Sequence, residues 1–338
     1  MINRCFIFLL ILFPTLLFGQ TSDKDAYTLG VKGIQKVDAG EYELGIKLLK
    51  KARNLNPKEY DYTLEIGKAY LKSGNPKKAE RFLFDLQYHV NVKPDLYLLL
   101  AECSAKLNEL RSTPDPERKR EMKALQYGID KLSGAGIIYL ELGQLKLELE
   151  QPTNALAIWE KGIQNAPDFP ENYFWASKMM KAGGNDLWTW IYAEMFFNMT
   201  EDEELKRTAS LLVSESSIAV LEDRWNSDYG QLEQQLRILL TENCNSNKES
   251  GLDLQLSQRQ CLLENFTDRS SSIAPLFERM RELEEQGWLE AYVADIHQTV
   301  DKESFLKWLA NNARVYDSYA KWSYWNRLSL AEPIIRSK

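Results

Sequence analysis

The sequence predicts an all-α protein, in which an α-solenoid of antiparallel helix pairs is followed by a smaller all-helical domain. Small residues recur at a step of 34 residues, as in Gly33, Gly67 and Ala101. Apolar residues recur at helical spacing, and no run alternates long enough to indicate a strand. A period in the mid-thirties indicates stacked helix pairs, because each pair needs one close approach of its backbones.

The first residues, 1–19, are predicted to be a signal peptide. Arg4 precedes the apolar run Cys5–Phe18, and small polar residues follow. This order is typical of secretory signals, and the run is short for a bilayer span. An uncleaved membrane anchor stays open as the alternative, because Leu17 is a poor residue for cleavage after Gly19. We expect an exported protein, periplasmic or secreted, with no integral membrane span after cleavage; association with the cell envelope is left open.

Length and charge set limits on the function. The chain has 338 residues and a formal net charge of −7, which is enough for two domains and gives a mildly acidic surface. Its densest basic run, Arg118–Arg120, is bracketed by Glu117 and Glu121. An acidic chain without a basic cluster is a poor nucleic-acid binder, so no nucleic-acid partner is expected.

Five helix pairs can be placed in register over residues 24–203. They start at Ala26, Tyr60, Pro94, Gly136 and Pro170. The third pair is longer than the others, and its insertion is placed near 107–117. Pro114 and Pro116 lie in that insertion and cannot continue a helix, so a long turn is expected there.

The first pair shows how each element is justified. Its first helix is predicted from about Asp25 to Asp38, with the turn at Gly40. The second helix has apolar residues at helical spacing from Leu44 to Ala52. It ends before Pro57, which stops a helix and redirects the chain.

These residues resemble the tetratricopeptide repeat family, in its exported bacterial form. Gly40-Glu41-Tyr42, Ala79, Ala155 and the prolines Pro57 and Pro167 match its pattern of small, aromatic and proline positions. The resemblance implies a right-handed superhelix of helix pairs whose concave face is built from first helices. It implies a protein or peptide partner, and it implies no catalytic activity.

The resemblance also implies which side chains line the concave groove. The predicted partner-binding residues are Glu65, Lys68, Lys72, Glu102, Lys106, Glu141, Gln144, Phe174, Trp175 and Lys178. The lysine and asparagine of the family's carboxylate clamp are absent at the matching positions. Mixed charge favours an extended peptide or a helix with alternating charges. The alternative is that these side chains only solvate the groove.

Beyond the repeats, the chain stays helical without the period. Thr200–Glu203 reads as a capping box for a closing helix at 204–221. Residues 222–338 form the predicted C-terminal helical domain, which is rich in tryptophan and tyrosine. Its aromatic residues either fill the core or form a recognition surface, especially Trp322, Tyr324 and Trp325.

The chemistry-bearing residues give no catalytic, cofactor or metal site. His89 and His297 are the only histidines, and no nucleophile elbow, zinc motif or phosphate loop occurs. Cys244 and Cys261 flank a polar stretch and are a candidate disulfide that would stabilise the fold by about 3 kcal/mol; free thiols are the alternative.

The resulting prediction is an exported, non-enzymatic adaptor or scaffold that holds a protein partner in its groove, in cell-envelope or secretion-related assembly. The alternative assigns a hydrolase or a glycan- or peptide-binding module to the C-terminal domain, with the solenoid as its targeting arm.

Overall fold

The computed structural model describes residues 14–222, 230–244, 251–266 and 273–330. All regular structure in these ranges is helical, which confirms the predicted all-α class. Contacts divide the chain into two compact units, Met1–Leu132 and Ser133–Lys338. The units are described separately below.

Unit 1 consists of three helix pairs. The pairs are α1 (Pro14–Asp38) with α2 (Tyr42–Leu55), α3 (Tyr60–Lys72) with α4 (Pro76–Phe84), and α5 (Pro94–Glu109) with α6 (Lys119–Lys131). A short 3-10 turn, Asp85–Tyr88, follows α4. Within this unit the first helix α3 also contacts the first helices α1 and α5 on either side of it, as expected for stacked pairs.

Unit 2 begins with two further helix pairs and continues with six helices. Its elements are α7 (Gly136–Glu148), α8 (Pro152–Asn165), α9 (Pro170–Ala182), α10 (Asp186–Met199), α11 (Glu203–Glu222), α12 (Gln231–Ile238), α13 (Gly251–Asn265), α14 (Ala274–Glu285), α15 (Leu289–His297) and α16 (Lys302–Trp325). A π-helical turn, Leu239–Asn243, extends α12.

The periodic small residues allow the two helices of a pair to touch. A β-carbon at Gly33 would lie 2.8 Å from Cγ of Leu49, and one at Gly67 would lie 2.6 Å from Cγ of Leu83. Both leucines are fully buried. Only a residue without a side chain fits these positions, which explains the period of the sequence.

The short turn inside four of the five helix pairs uses the left-handed backbone region. Gly40, Gly74 and Gly184 have φ of 80°, 74° and 74°. Glu150 occupies the corresponding position of the fourth pair with φ of 57°. A residue with a β-carbon is disfavoured there, so this turn is the strained member of the series.

The third pair has the long connection that the prolines indicated. It runs between Glu109 and Lys119, and Asn108 closes it. The Asn108 side chain accepts from the backbone N–H of Asp115 at 2.7 Å and donates to its carbonyl at 2.9 Å.

The fourth and fifth pairs share one hydrophobic core with the C-terminal helices. This core extends from Ala155 to Leu330. Helix α10 is buried on every face from Leu187 to Met199. The two compact units divide at Leu132, and the domain boundaries near residues 203 and 222 stay predictions. The large aromatic residues of α10, rather than the repeat period, decide what packs together.

Helix α11 begins with a different cap from the one expected. The Asp202 carboxylate accepts from the backbone N–H groups of Glu204 and Leu205 at 3.0 and 2.9 Å. Asp202 is thus the capping residue, and the interpretation of Thr200–Glu203 as a capping box with Thr200 at its head is corrected. Thr200 instead accepts from the N–H of Asp202 at 3.1 Å.

Helix α1 starts at Pro14, earlier than the predicted start near Asp25. The predicted signal peptide, residues 1–19, falls largely outside the described residues, which begin at residue 14. None of the helices within the described ranges combines the length and the apolar character that a bilayer span requires.

The cysteines of unit 2 are joined. Cys244, just after the π-helical turn, forms a disulfide with Cys261 of α13, with their Cα atoms 5.5 Å apart. In unit 1, Cys103 is a free thiol that is fully buried, and this burial raises its pKa to about 12. A thiol of that pKa stays protonated and unreactive near neutral pH.

Candidate functional site

The first helices of unit 1 carry a row of charged side chains, which we call the first-helix surface. It contains Glu65, Lys68 and Lys72 of α3 and Glu102 and Lys106 of α5. Lys72 and Glu102 are exposed, and the other three are half-buried. All five side chains are at least partly accessible and lie on two neighbouring first helices; their role in binding stays a prediction.

Ion pairs join the first helices to one another. Lys72 of α3 pairs with Asp38 of α1 at 3.0 Å, and Lys68 lies 3.0 Å from Glu65 and 3.6 Å from Asp95 of α5. Burial lowers the pKa of Lys68, but its hydrogen bonds and charge interactions with Glu65 and Asp95 together outweigh burial, and the pKa is raised overall. Lys68 therefore stays protonated and positively charged on this surface.

In unit 2, two of the predicted groove residues, Trp175 and Lys178, contact one another. Trp175 of α9 stacks on Trp159 of α8 with ring centroids 5.6 Å apart. The Lys178 ammonium lies 4.6 Å from the Trp175 ring centroid, within cation–π range. Trp175 and Lys178 are both half-buried, as are Glu141 and Gln144 of α7. An amphipathic ring with a cation over it can bind both apolar and acidic groups.

The structure corrects the prediction that Phe174 lines the groove. Its side chain is 3% exposed and packs on Phe196 of α10 with ring centroids 4.9 Å apart. A side chain held in the core cannot contact a partner. Phe174 takes this inward position because α10 packs against α9 and Phe196 of α10 lies against its ring.

The C-terminal helices contain a cleft that the sequence did not predict. It has a volume of about 360 Å³ and is lined by side chains of α10, α11, α14, α15 and α16. Its lining includes four tyrosines and several charged residues, among them Lys206, Asp295, Tyr292, Tyr316, Tyr319 and Arg327. We call it the C-terminal cleft.

Asp295 organises one wall of the C-terminal cleft. Its carboxylate accepts hydrogen bonds from Tyr316 at 2.8 Å, Tyr319 at 3.1 Å and Gln298 at 2.6 Å, and Lys206 lies 3.6 Å away. Burial and then the Asp295 charge raise the pKa of both tyrosines, which keeps them protonated as donors. With its oxygens engaged by its own chain, Asp295 is poorly placed to act as a general base.

Arg279 lines the C-terminal cleft, and one N–H group of its side chain has no hydrogen-bond partner. It is 7% exposed, stacks on Trp322 at 4.0 Å from the ring centroid, and its Nε has no hydrogen-bond partner. Trp322 is half-buried in this contact, whereas Tyr324 and Trp325 are 60% and 81% exposed. Of the three aromatic residues near the end of the described chain, Trp322 is therefore packed against Arg279, whereas Tyr324 and Trp325 lie at the surface.

The described residues hold no group of three or more histidine, cysteine or acidic side chains that could bind a metal ion.

Comparisons place the repeats in a family. Residues 36–103 match the sequence model of the tetratricopeptide repeat. Among curated proteins, none matches this chain. Several solved structures are similar to this chain at low sequence identity. A thermophilic tetratricopeptide repeat protein of Thermus thermophilus is 16% identical with a TM-score of 0.40, covering 56% of this chain and 98% of that one. Pseudomonas aeruginosa pilF is 14% identical with a TM-score of 0.41 (64% and 97% covered), and MamA is 17% identical with a TM-score of 0.37 (60% and 97%). The family match includes the helix pair of the Gly67–Leu83 contact described above, and residues 36–103 of this chain therefore carry tetratricopeptide repeats.

Proposed function

We propose that this protein is an exported, non-enzymatic adaptor that binds a protein partner on its first helices, in cell-envelope or secretion-related assembly. The family indicates a protein-interaction role and is generally a non-catalytic scaffold. The observation that carries the proposal is the accessible, alternating charge of the first-helix surface, with Lys68, Lys72 and Lys106 beside Glu65 and Glu102. Alternating charge on a groove favours an extended segment or a helix of complementary charge.

Position-specific photocrosslinking tests the binding surface. A photoreactive amino acid at Lys72 or Lys106 should crosslink one partner in the source cells. The same residue at Lys161, an exposed position on the second helix α8, is the control. Equal crosslinking from all three positions, or from Lys161 alone, would contradict the proposed surface.

Two observations support export. The apolar run after Arg4 has the form of a secretory signal. Cys244 and Cys261 form a disulfide, and such bonds persist mainly in oxidising compartments. Fractionation followed by intact-mass analysis should find a chain that begins after Gly19 with one disulfide. A full-length mass in the membrane fraction would instead favour an uncleaved anchor.

A second candidate function is binding of a small polar ligand, such as a glycan, in the C-terminal cleft. The buried Arg279 with an unpaired Nε favours it. A guanidinium suits a carboxylate, so glucuronic acid is the probe and glucose its neutral counterpart. Calorimetry on the full chain is required, because Phe197 and Lys206 lie before residue 222 and also line the cleft. The variant Arg327→Gln should weaken the binding of glucuronic acid. The control Lys321→Gln removes an exposed cation of α16 and should leave that binding unchanged. Equal effects of the two variants would contradict ligand binding in the C-terminal cleft.

A further inference from the structure

A second surface of unit 1 lies outside the first-helix surface. It is a cleft of about 760 Å³ where α2, α3 and α4 meet. We call it the basic cleft; its lining side chains include Lys50, Arg53, Tyr70, Lys78, Arg81 and Phe82. The sequence indicated no basic cluster, because these cations are spread over two helices and approach only in the folded pair.

The four cations of the basic cleft are not neutralised by their own chain. Within the described residues, no carboxylate forms an ion pair with Lys50, Arg53, Lys78 or Arg81, although many other cations of this chain are paired. Asp85 is the single acidic residue of the lining. Unpaired cations collected in a protein of net charge −7 create a local positive field that attracts anions.

The floor of the basic cleft is aromatic, and its ring faces are already occupied. Tyr70 and Phe82 stack with centroids 5.4 Å apart. Lys50 lies 5.3 Å from the Tyr70 centroid and 5.2 Å from that of Phe82, and Arg53 lies 5.2 Å from Phe82. Nucleic-acid bases bind such floors by stacking on free ring faces. Rings covered by cations favour carboxylates over bases.

An apolar depression adjoins the basic cleft. It has a volume of about 420 Å³ and shares Tyr88 with the cleft. Phe84, Leu100 and Tyr127 also line it. Phe84 and Tyr88 are 52% and 78% exposed. Two large aromatic side chains that are exposed next to each other indicate a site where an apolar side chain of a partner can pack.

We propose that the basic cleft and its apolar depression together bind an acidic peptide segment that carries a large apolar side chain. The carboxylates pair with Lys50, Arg53, Lys78 and Arg81, and the apolar side chain packs on Tyr88. This surface goes beyond the proposed function, because none of the predicted groove residues lines it. The protein thus has a docking surface on its second helices that is independent of its first helices.

Fluorescence anisotropy with a labelled glutamate-rich peptide containing one phenylalanine tests this. The variant Lys78→Gln/Arg81→Gln removes two exposed cations of the cleft and should weaken binding about tenfold, which is about 1.4 kcal/mol. The matched control Lys47→Gln/Lys51→Gln removes two exposed cations of α2 outside the lining. It should leave binding nearly unchanged. Equal losses in both variants would mean attraction by overall charge and would overturn the proposal.

Three further binding measurements test separate parts of this proposal. Replacing phenylalanine by serine in the peptide should weaken binding to the parent chain, and Tyr88→Ser should abolish that difference. Lys72→Gln on the first-helix surface should keep full affinity; a loss there would move the peptide to the proposed groove and overturn the second surface. An oligonucleotide of matched charge that binds as tightly and competes would overturn the peptide assignment.

Discussion

Unit 1 and unit 2 are stabilised in different ways. Unit 1 contains a small core around Leu49 and Ile66 that is mainly aliphatic, and its helix pairs approach closely at glycine. Unit 2 has one large aromatic core and a buried ion pair between Glu194 of α10 and Arg259 of α13, both fully inaccessible. Local packing suffices for a regular repeat, whereas the irregular helices depend on contacts between residues far apart in sequence.

The buried ion pair joins the fifth helix pair to the C-terminal helices. Arg259 Nε and Nη2 each donate to the Glu194 carboxylate at 2.9 Å. Tyr292 donates to it at 2.7 Å and Trp190 also donates to it. A carboxylate so fully hydrogen-bonded is stable in the core only while its partners are present.

Breaking this pair should have the largest effect. Arg259→Met leaves the Glu194 charge buried without its counterion and should lower the free energy of unfolding by about 3–5 kcal/mol. Chemical denaturation measures the loss. The double variant Glu194→Leu/Arg259→Met removes both charges and should lose less than Arg259→Met alone. A loss below about 1 kcal/mol for the single variant would show that the pair is not what holds unit 2 together.

The corresponding test in unit 1 is the glycine contact. Gly67→Ala places a β-carbon against Leu83 and should cost about 1–3 kcal/mol by overpacking. Gly134→Ala is the control, because its nearest neighbour would be 3.8 Å away. Thermal unfolding of both variants checks the difference. Equal melting temperatures would contradict the repeat packing.

A smaller and opposite effect is expected at the strained turn. Glu150→Gly relieves a left-handed non-glycine residue and should stabilise the chain by about 1 kcal/mol. The reverse change in a glycine turn, Gly40→Ala, should destabilise it, although open space surrounds Gly40. The two changes in melting temperature should have opposite signs; the same sign would mean that the backbone angle is not the cause.

The smallest effect concerns pH and His297. Its side chain is 3% exposed, and Gln255 donates to its Nδ1 at 3.1 Å. Burial lowers its pKa below the ordinary 6.5, with the Asp301 charge opposing. Between pH 6.5 and the lower folded pKa, the unfolded chain binds the additional proton, so the free energy of unfolding falls as pH falls.

The variant His297→Gln should remove that part of the pH dependence. Denaturation at a series of pH values from neutral to mildly acidic measures the slope. His89→Gln removes the other histidine and should keep the parent slope. A parent-like slope in His297→Gln would assign the pH dependence to other groups.

The sequence by itself determined the regular part of the molecule. Gly33, Gly67 and the turn at Gly40 each act within one helix pair, so their spacing indicates the helices and the turns. The assignment of Lys68 and Lys72 to the first-helix surface came from the resemblance to the tetratricopeptide repeat family. That resemblance could not place Phe174, because its position depends on what packs behind α9.

Only the tertiary structure decided the irregular part. Glu194 meets Arg259 across 65 residues, and the C-terminal cleft draws its lining from five helices. Lys50 and Arg53 meet Lys78 and Arg81 only after two helix pairs have stacked. A periodic pattern reports contacts within a fixed short separation. Contacts between distant segments depend on the shapes of the helices that meet, and no spacing in the sequence records them.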